Sequence, residues 1–537
     1  MSDPPTPASH RDRDAPFGET GFEPGEEQFL STPGLDADFH GRSARGAAAS
    51  LAAQACKFAL YLVSTVVLAR LLTPEDFGLY AFAFAIIGIA GLFKDLGFSY
   101  AAIQWPTIGH RQASTLFWIN AGVGIGLALL TAAAAPLVGW IADTPGLTPL
   151  LVALAFLLPF AGLASQHQVL LVREVRFGAL AVVEVTAVTL GVVTGVAAAV
   201  LGAGHWSLVA GYAVTEVVGA AGAWIACAWR PGLPSRGTGI RPLLSVGGYI
   251  TGVRMLLYLS FAFDKLAIGS SAGERQLGLY DRAWAVLFLP INQFTTPLWH
   301  VAYTTLSRLQ DDAVRYRGQL RRFVLASSAL GMPSVALLVV IADTLIPLFL
   351  GSQWDDSVSL FRALAPIAFV TTLNAASGWL YLSLGRAKRQ FVWTLGTTAA
   401  TAAAVAIGLQ WGAIGVAVAM STSRVLLVLP TVVFTCAGTF VRWTDVVRPA
   451  VRPAFAALAA AALLAGAKEI LPDMRAPIEL VRDSVLYLLL YVGVLLALPD
   501  GPRMVRSHAA TIVSLMRRTS TASTTDEHVE TPRQANP

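Results

Sequence analysis

Fourteen apolar stretches, each near the roughly 20 residues that cross a bilayer as a helix, decide what this chain can become. Their approximate limits are 47–69, 78–101, 114–140, 148–170, 178–202, 206–229, 243–269, 283–305, 323–350, 360–384, 391–410, 412–440, 447–467 and 479–498. The connections are short, so no sizeable extramembrane domain is expected. Charged residues make up only 13% of the chain and hydrophobic ones 55%. A soluble fold of this size could not cover its surface with so few charges. Soluble, fibrous and disordered classes are thereby excluded as descriptions of the whole.

The net charge of +5 does not signal nucleic acid, because the basic residues sit singly or in small groups between apolar runs. Their placement instead reads as topology. With the N-terminus inside, the inner side collects Arg42 and Arg45, Arg173 and Arg176, the set from Arg308 to Arg322, Arg386, Lys388 and Arg389, and Arg442, Arg448 and Arg452. Counted over the inner loops and the stretches flanking the first and last spans, it holds twenty-three basic residues. The outer side holds six: Arg70, Arg275, Arg282, Lys468, Arg475 and Arg482. The bias alternates loop by loop, as the positive-inside rule requires. Both termini are expected to be cytoplasmic, in a multi-pass protein of the cytoplasmic membrane.

The polar stretch 1–46 lacks apolar periodicity and is expected to be a disordered cytoplasmic tail, and 501–537 a second cytoplasmic tail, disordered from about Thr519. No cleaved signal peptide is evident, so targeting is expected to rest on the first span. Cys56, Cys227 and Cys436 fall inside apolar runs and read as small buried hydrophobes, with neither disulfide nor metal spacing.

An internal repeat divides the chain. LARLLTPEDFGLYAFAFAII follows the first span from Leu68, and LAIGSSAGERQLGLYDRAWAVL follows the seventh from Leu266. Gly78-Leu79-Tyr80 matches Gly278-Leu279-Tyr280. Six spans, an even number, separate the copies, so both run in the same direction and imply an axis along the membrane normal. The expected fold is an all-α polytopic membrane protein with about 14 transmembrane helices. Two pseudo-twofold-related six-helix lobes, 47–230 and 243–441, flank a cytoplasmic linker at 231–242, and two C-terminal helices at 442–500 are appended.

Ionisable residues deep in a bilayer normally face a cavity or a partner. Lys57 lies mid-span on a polar stripe with Ser50, Gln54, Tyr61 and Ser64. Arg254 lies at similar depth in the seventh span, with Gly247, Thr251, Tyr258 and Phe261. Lys57/Tyr61 and Arg254/Tyr258 thus repeat a basic-x-x-x-Tyr pattern, one per lobe, and two such cations would suit a phosphate or pyrophosphate. The plainer reading is that each snorkels or pairs with a carboxylate. Arg424, in the twelfth span, is open between cavity and structural pairing. Asp264 and Lys265, like Lys94 and Asp95, are adjacent and must each find a separate partner. Glu184, Glu216 and Asp264 are candidates for coupling to a proton or Na⁺, or for pairing with a base. Pro290 and Pro297 read equally as a hinge or as static curvature.

Enzyme signatures are missing. No P-loop sequence is present, and no cofactor or metal is expected. Asp311-Asp312 and Asp355-Asp356 fall in loops on opposite sides, which speaks against a metal-bound glycosyltransferase.

Two segments, VVLARLLTPEDFGLYAFAFAIIGIAGLFKDLGFSYAAIQ (Val66 to Gln104) and LGLYDRAWAVLFLPINQFTTPLWHVAYTTLSRLQDD (Leu277 to Asp312), carry a resemblance. They resemble the polysaccharide-transporter branch of the multidrug/oligosaccharidyl-lipid/polysaccharide exporter superfamily, the Wzx-like flippases. The resemblance implies alternating access by twelve core helices in two lobes, often with two more. It implies a lipid-linked glycan cargo, usually on undecaprenyl pyrophosphate, carried to the outer leaflet for cell-surface polysaccharide such as lipopolysaccharide or exopolysaccharide. It also implies a cationic cavity, which Lys57, Arg254 and Arg424 would supply here. Expected partners are the lipid-linked glycan, membrane lipids, and polymerase or export machinery, and no nucleic acid. The alternatives are an ion-coupled multidrug exporter of the same fold, and a membrane glycosyltransferase or polymerase, which would want a carboxylate cluster and a large outer loop.

Overall fold

The computed structural model describes residues 39–93, 109–235, 255–256, 258–259, 262–472 and 474–499. Fifteen α-helices make up the fold among these residues. The first lobe holds α1 (Phe39–Leu71), α2 (Pro74–Gly91), α3 (His110–Ile141), α4 (Leu147–Ala155), α5 (Leu158–Arg173), α6 (Phe177–Val200) and α7 (Trp206–Ala226). The second holds a helical stretch at 262–271, then α8 (Gly273–Arg308), α9 (Ala313–Val340), α10 (Ala342–Leu350), α11 (Ser357–Ser383), α12 (Ala387–Gly408) and α13 (Gly412–Cys436). The appended pair is α14 (Trp443–Lys468) and α15 (Ala476–Ala497).

Eleven stretches among the described residues are helical, long and apolar enough to cross a membrane. One of these, Ala387–Cys436, is two passes: α12 turns through Leu409–Trp411 into α13. The turn needs Gly412 at φ +66°. A methyl group on Gly408 would lie 2.5 Å from the Gly415 carbonyl oxygen, so the two helices fold back backbone to backbone. The long α8 is not among the eleven. Glu274, Arg275, Asp281, Arg282, Asn292 and Gln293 make it too polar for a lipid-facing helix, and it lines the space between the lobes instead.

Helix ends differ from the apolar limits in an instructive way. The first helix starts at Phe39 rather than 47 and carries Arg42 and Arg45 within it. The eighth span begins at Gly273 rather than 283. Hydropathy marks the part of a helix that lies in lipid, whereas the hydrogen-bond ladder continues into polar residues wherever these find partners. At α2 the sequence sets the start itself. Thr73 is the N-cap, Pro74 follows it, and Glu75 and Asp76 fill the first turn, where acidic groups favour the helix dipole. Asp76 accepts from the Thr73 N–H at 3.1 Å and, with its other oxygen, from the His205 N–H at 2.8 Å.

The apolar cores show how the lobes meet. One core runs through both lobes, from Leu68, Phe77 and Phe82 to Leu277, Trp354, Phe361 and Met420. A second, with Phe117, Leu170 and Trp229, belongs to the first lobe alone. A third, with Tyr316, Phe323, Trp379 and Tyr487, joins the second lobe to α14 and α15. The lobes therefore share a core at one end of the bundle and keep separate cores toward the other. The end with separate cores carries the basic loops around Arg173, Arg308–Arg322, Arg386–Arg389 and Arg442. There Asp445, 1% exposed, ties α14 to α9 by accepting from Arg317 Nε at 2.6 Å and Arg321 Nε at 2.9 Å.

At the shared end the repeat reappears as a contact. A methyl group on Gly78 would sit 1.7 Å from the Glu274 carbonyl oxygen. One on Gly278 would sit 1.8 Å from the Pro74 carbonyl oxygen. Each glycine lies over the carbonyl four residues before the other, so the pseudo-twofold axis passes between α2 and α8. Small residues let two membrane helices approach this closely. Around the crossing, Arg275 pairs with Glu75 and Asp356, both at 3.1 Å. Trp354 Nε1 donates to the Ala69 carbonyl at 2.8 Å, and the Arg282 guanidinium lies 4.4 Å over the Phe77 ring.

Candidate functional site: cavities within and between the lobes

The polar stripe of α1 faces open space on two sides. Toward α5, α6 and α7 lies a cavity of about 380 Å³ lined by Lys57, Tyr61, Gln168, Glu184, Thr215 and Glu216 among others. Toward α8 lies a second, of about 390 Å³, lined by Gln54, Lys57, Phe58, Tyr61, Trp284, Phe288, Asn292 and Gln293. Lys57 and Tyr61 belong to both. The α8 residues recur at helical spacing, so one stripe of that helix faces the gap.

Lys57 Nζ bonds Glu184 Oε2 at 2.5 Å, across α1 and α6. This partly buried pair is the charged centre of the first cavity. Glu216 lines the same cavity on α7, with Tyr212 beside its carboxylate. Two carboxylates thus accompany one ammonium there. Tyr61, 52% exposed, borders both cavities.

The second lobe holds its own buried charges. The Tyr280 hydroxyl donates to Asp264 Oδ2 at 2.5 Å, and Asp264 is 2% exposed. Lys265 Nζ bonds Asp281 Oδ1 at 2.5 Å, and Arg282 Nη2 takes the other oxygen at 2.6 Å. Adjacent Asp264 and Lys265 thus turn to different partners, as helix geometry requires. Arg424 lies near Asp264 and Tyr280, and it also lines a cavity of about 260 Å³ within this lobe.

The candidates read from the sequence therefore fall into three places. Lys57, Tyr61, Glu184 and Glu216 meet in the first-lobe cavity. Asp264 and Arg424 meet around Tyr280. Tyr258 joins neither: its hydroxyl donates to the Ala85 carbonyl at 3.1 Å and packs on Gly88, where a methyl group would be 1.9 Å away. Its role is contact between the seventh span and α2. Arg254, Gly247, Thr251, Phe261, Lys94 and Asp95 lie outside the described residues. Cys227 and Cys436 are buried, but Cys56 is exposed on α1, because its turn of the helix does not face the shared core. The acidic pairs serve locally: Asp312 caps α9 by accepting from the Arg315 N–H at 3.0 Å, and Asp356 holds Arg275.

Sequence reasoning missed Tyr280 and Asp281, and the aromatic stripe Trp284 and Phe288. Their own signal was available, since α8 repeats polar and aromatic residues every three or four positions inside an apolar run.

The sequence profile of a family described as "Polysaccharide biosynthesis protein" matches residues 67–359. The chain is 26% identical over 367 residues to the lipopolysaccharide biosynthesis protein WzxC of Escherichia coli (strain K12), covering 66% of this chain and 73% of that protein. It is 24% identical over 351 residues to the succinoglycan biosynthesis transport protein ExoT of Rhizobium meliloti (strain 1021), covering 65% and 71%. Among solved structures, the lipid II flippase MurJ in an inward closed conformation superposes with a TM-score of 0.67 at 15% identity, over 83% of this chain and 98% of that one. An inward-facing multidrug resistance MATE family transporter of the MOP superfamily gives 0.58 at 14% identity, over 72% and 97%. These two likenesses show the fold.

Proposed function

Because the chain belongs to the polysaccharide biosynthesis protein family, we propose that it flips a lipid-linked oligosaccharide across the cytoplasmic membrane by alternating access, for cell-surface polysaccharide synthesis. The carrier is proposed to be undecaprenyl pyrophosphate. The observation that carries this reading is Lys57, which is paired with Glu184 inside the first-lobe pocket and also lines the gap between lobes. A pair in that place can exchange partners: a phosphate arriving in the gap competes with Glu184 for the ammonium. Arg254 is proposed to supply the second cation of the clamp, and Tyr61 a hydroxyl beside it. With no P-loop in the sequence, the driving force is an ion gradient or removal of cargo outside, and Glu184, Glu216 and Asp264 are the candidate proton or Na⁺ carriers.

The shared core and the Gly78–Gly278 crossing support an inward-facing state, with the closed end outside. Both termini are then cytoplasmic. Loss of the chain from its host should deplete surface glycan while the lipid-linked precursor accumulates, and unchanged surface glycan sinks the reading. A second reading has one specific observation behind it. The first-lobe cavity holds two carboxylates to one ammonium, which also suits an ion-coupled exporter of cationic compounds. That exporter would leave surface glycan intact.

Topology has its own check. Ser352 is exposed in the turn before α11 and, replaced by cysteine, should label from outside the cell. Ser383, its natural counterpart for the inner side, is buried and bonded to Tyr316 at 2.6 Å. Exposed Ala387 replaces it as the position expected to stay unlabelled until the membrane is opened. The native cysteines, Cys56 above all, are removed first. The reversed pattern inverts the assignment of sides.

A further inference from the structure

The second-lobe cavity differs in kind from the first. Among the described residues its lining holds no carboxylate. Two indoles, Trp299 and Trp393, and a set of amide and hydroxyl groups define it, with Arg424 at one side. Gly378 shapes the wall: a methyl group there would lie 2.3 Å from Trp299 Cη2, so only glycine lets that indole rest on the α11 backbone. Trp393 is fixed by stacking on Phe434, with centroids 4.4 Å apart and rings 19° from parallel, and by donating Nε1–H to Thr431 at 3.1 Å. The aromatic walls are therefore held in place before any ligand arrives.

The polar groups point to what the cavity takes. Ser377 is 5% exposed, and its hydroxyl has no hydrogen-bond partner in the structure. A mid-helix serine has the carbonyl four residues earlier available to it, as Thr398 and Thr431 show by bonding theirs at 2.7 Å. Ser377 forgoes that bond. The Asn374 side-chain oxygen, one turn away on the same wall, is likewise buried and unpartnered. Buried polar groups are nearly always satisfied, so two unpartnered ones on one cavity wall suit a polar ligand.

We propose that this cavity is a carbohydrate subsite that seats a neutral pyranose of the cargo. A pyranose has C–H faces that lie against indoles, and a rim of hydroxyls that both donate and accept. Asn374 and Ser377 line the cavity and reach that rim when a side-chain rotation turns their buried oxygens toward it, and the absence of a carboxylate among the described lining residues disfavours a cation. Its volume is below the roughly 300–1,000 Å³ of a drug-sized site, which suits one or two rings rather than a whole repeat unit. The inference rests on the glycan-export reading and divides its labour. Lys57, across the gap, receives the phosphate, and the second lobe receives sugar. Trp299 lies on α8, the helix whose earlier turns line the gap, so one helix borders both compartments.

Binding without transport tests this. The full chain in lipid nanodiscs would be screened by saturation-transfer NMR against glucose, galactose, mannose, rhamnose, N-acetylglucosamine and glucuronate, each as its methyl glycoside. At least one neutral glycoside should receive saturation, strongest on its ring protons. Ser377→Ala, Asn374→Ala and Trp393→Ala should each weaken that signal about tenfold or more, while Val182→Ala on the exposed face of α6 leaves it unchanged. Trp393→Ala also unstacks Phe434, so the two small substitutions decide if that variant misfolds. No transfer to any neutral glycoside, or transfer that survives both Ser377→Ala and Asn374→Ala, overturns the proposal. Transfer confined to glucuronate and lost in Lys57→Ala also overturns it, by moving the sugar to the first lobe. If surface glycan proves independent of the chain while sugar still binds here, the transport reading fails and the subsite stands.

Discussion

Gly78→Leu should destroy the inward-facing state. Even a methyl group at this position would lie 1.7 Å from the Glu274 carbonyl oxygen, with backbone on both sides and no flexible side chain to yield. Overpacking of this kind costs about 3 kcal/mol at the upper end of the usual range, or about a hundredfold in the population of the state that contains it. Gly278→Leu should act equally, because its clash with the Pro74 carbonyl is the mirror of the first. The readout is a reversible thiol crosslink between Glu75→Cys and Arg275→Cys on a cysteine-free background, positions whose native side chains meet at 3.1 Å. In the otherwise native chain the crosslink should form readily and block export until reduced. With Gly78→Leu it should almost vanish. Export that continues through an intact crosslink means the lobes need not part here, and the rocking model is then wrong.

Lys57→Ala should abolish export, and the more informative experiment is the double change. The single substitution leaves Glu184 partly buried without its partner, which by itself can destabilise a fold. Lys57→Ala with Glu184→Ala removes both charges. If Lys57 exists only to neutralise Glu184, the double variant regains export. If Lys57 receives the cargo's phosphate, the double variant folds as well as the native protein and still fails to export. Recovery of more than half of native export in the double variant would remove Lys57 from the transport mechanism. Lys57→Arg keeps the charge and adds a planar fork of donors. It should retain substantial export if the ligand is a phosphate.

The two experiments draw on parts of the chain that were unequally legible in the sequence. Span order and the doubled Gly-Leu-Tyr segment could be read directly, because each depends on neighbours close in sequence, whereas the α2 start at Thr73-Pro74 lies ahead of the apolar limit at 78. The repeat even marked where the lobes touch, since the segments it places in equivalent positions do meet at Gly78 and Gly278. Side-chain partnerships were harder. Lys57 stood out as a charge in an apolar helix, but its bond to Glu184 spans 127 positions, and the sequence could only leave that pairing open. Tyr258 shares a stripe with Arg254, and the stripe alone would turn it toward the same space. Its hydroxyl went to the neighbouring α2 backbone because Gly88 left a gap there. Helical periodicity tells which residues share a face. It does not tell whether that face meets water, cargo or another helix. The α8 start was misjudged for a related reason, since its charges pair across helices and so tolerate a depth that hydropathy denies them.

The reciprocity of the Gly78 and Gly278 contacts has a consequence for how such a molecule is limited in size. A contact in which each half offers the other the same patch is isologous, the kind found in two-fold dimers of separate chains. It is self-completing: once two halves have met, both copies of the patch are consumed and none remains exposed to recruit a third. Joining the halves in one polypeptide fixes their stoichiometry without altering that closure. Later additions to the bundle must therefore attach elsewhere, and α14 and α15 do so, on the flank of the second lobe and away from the axis.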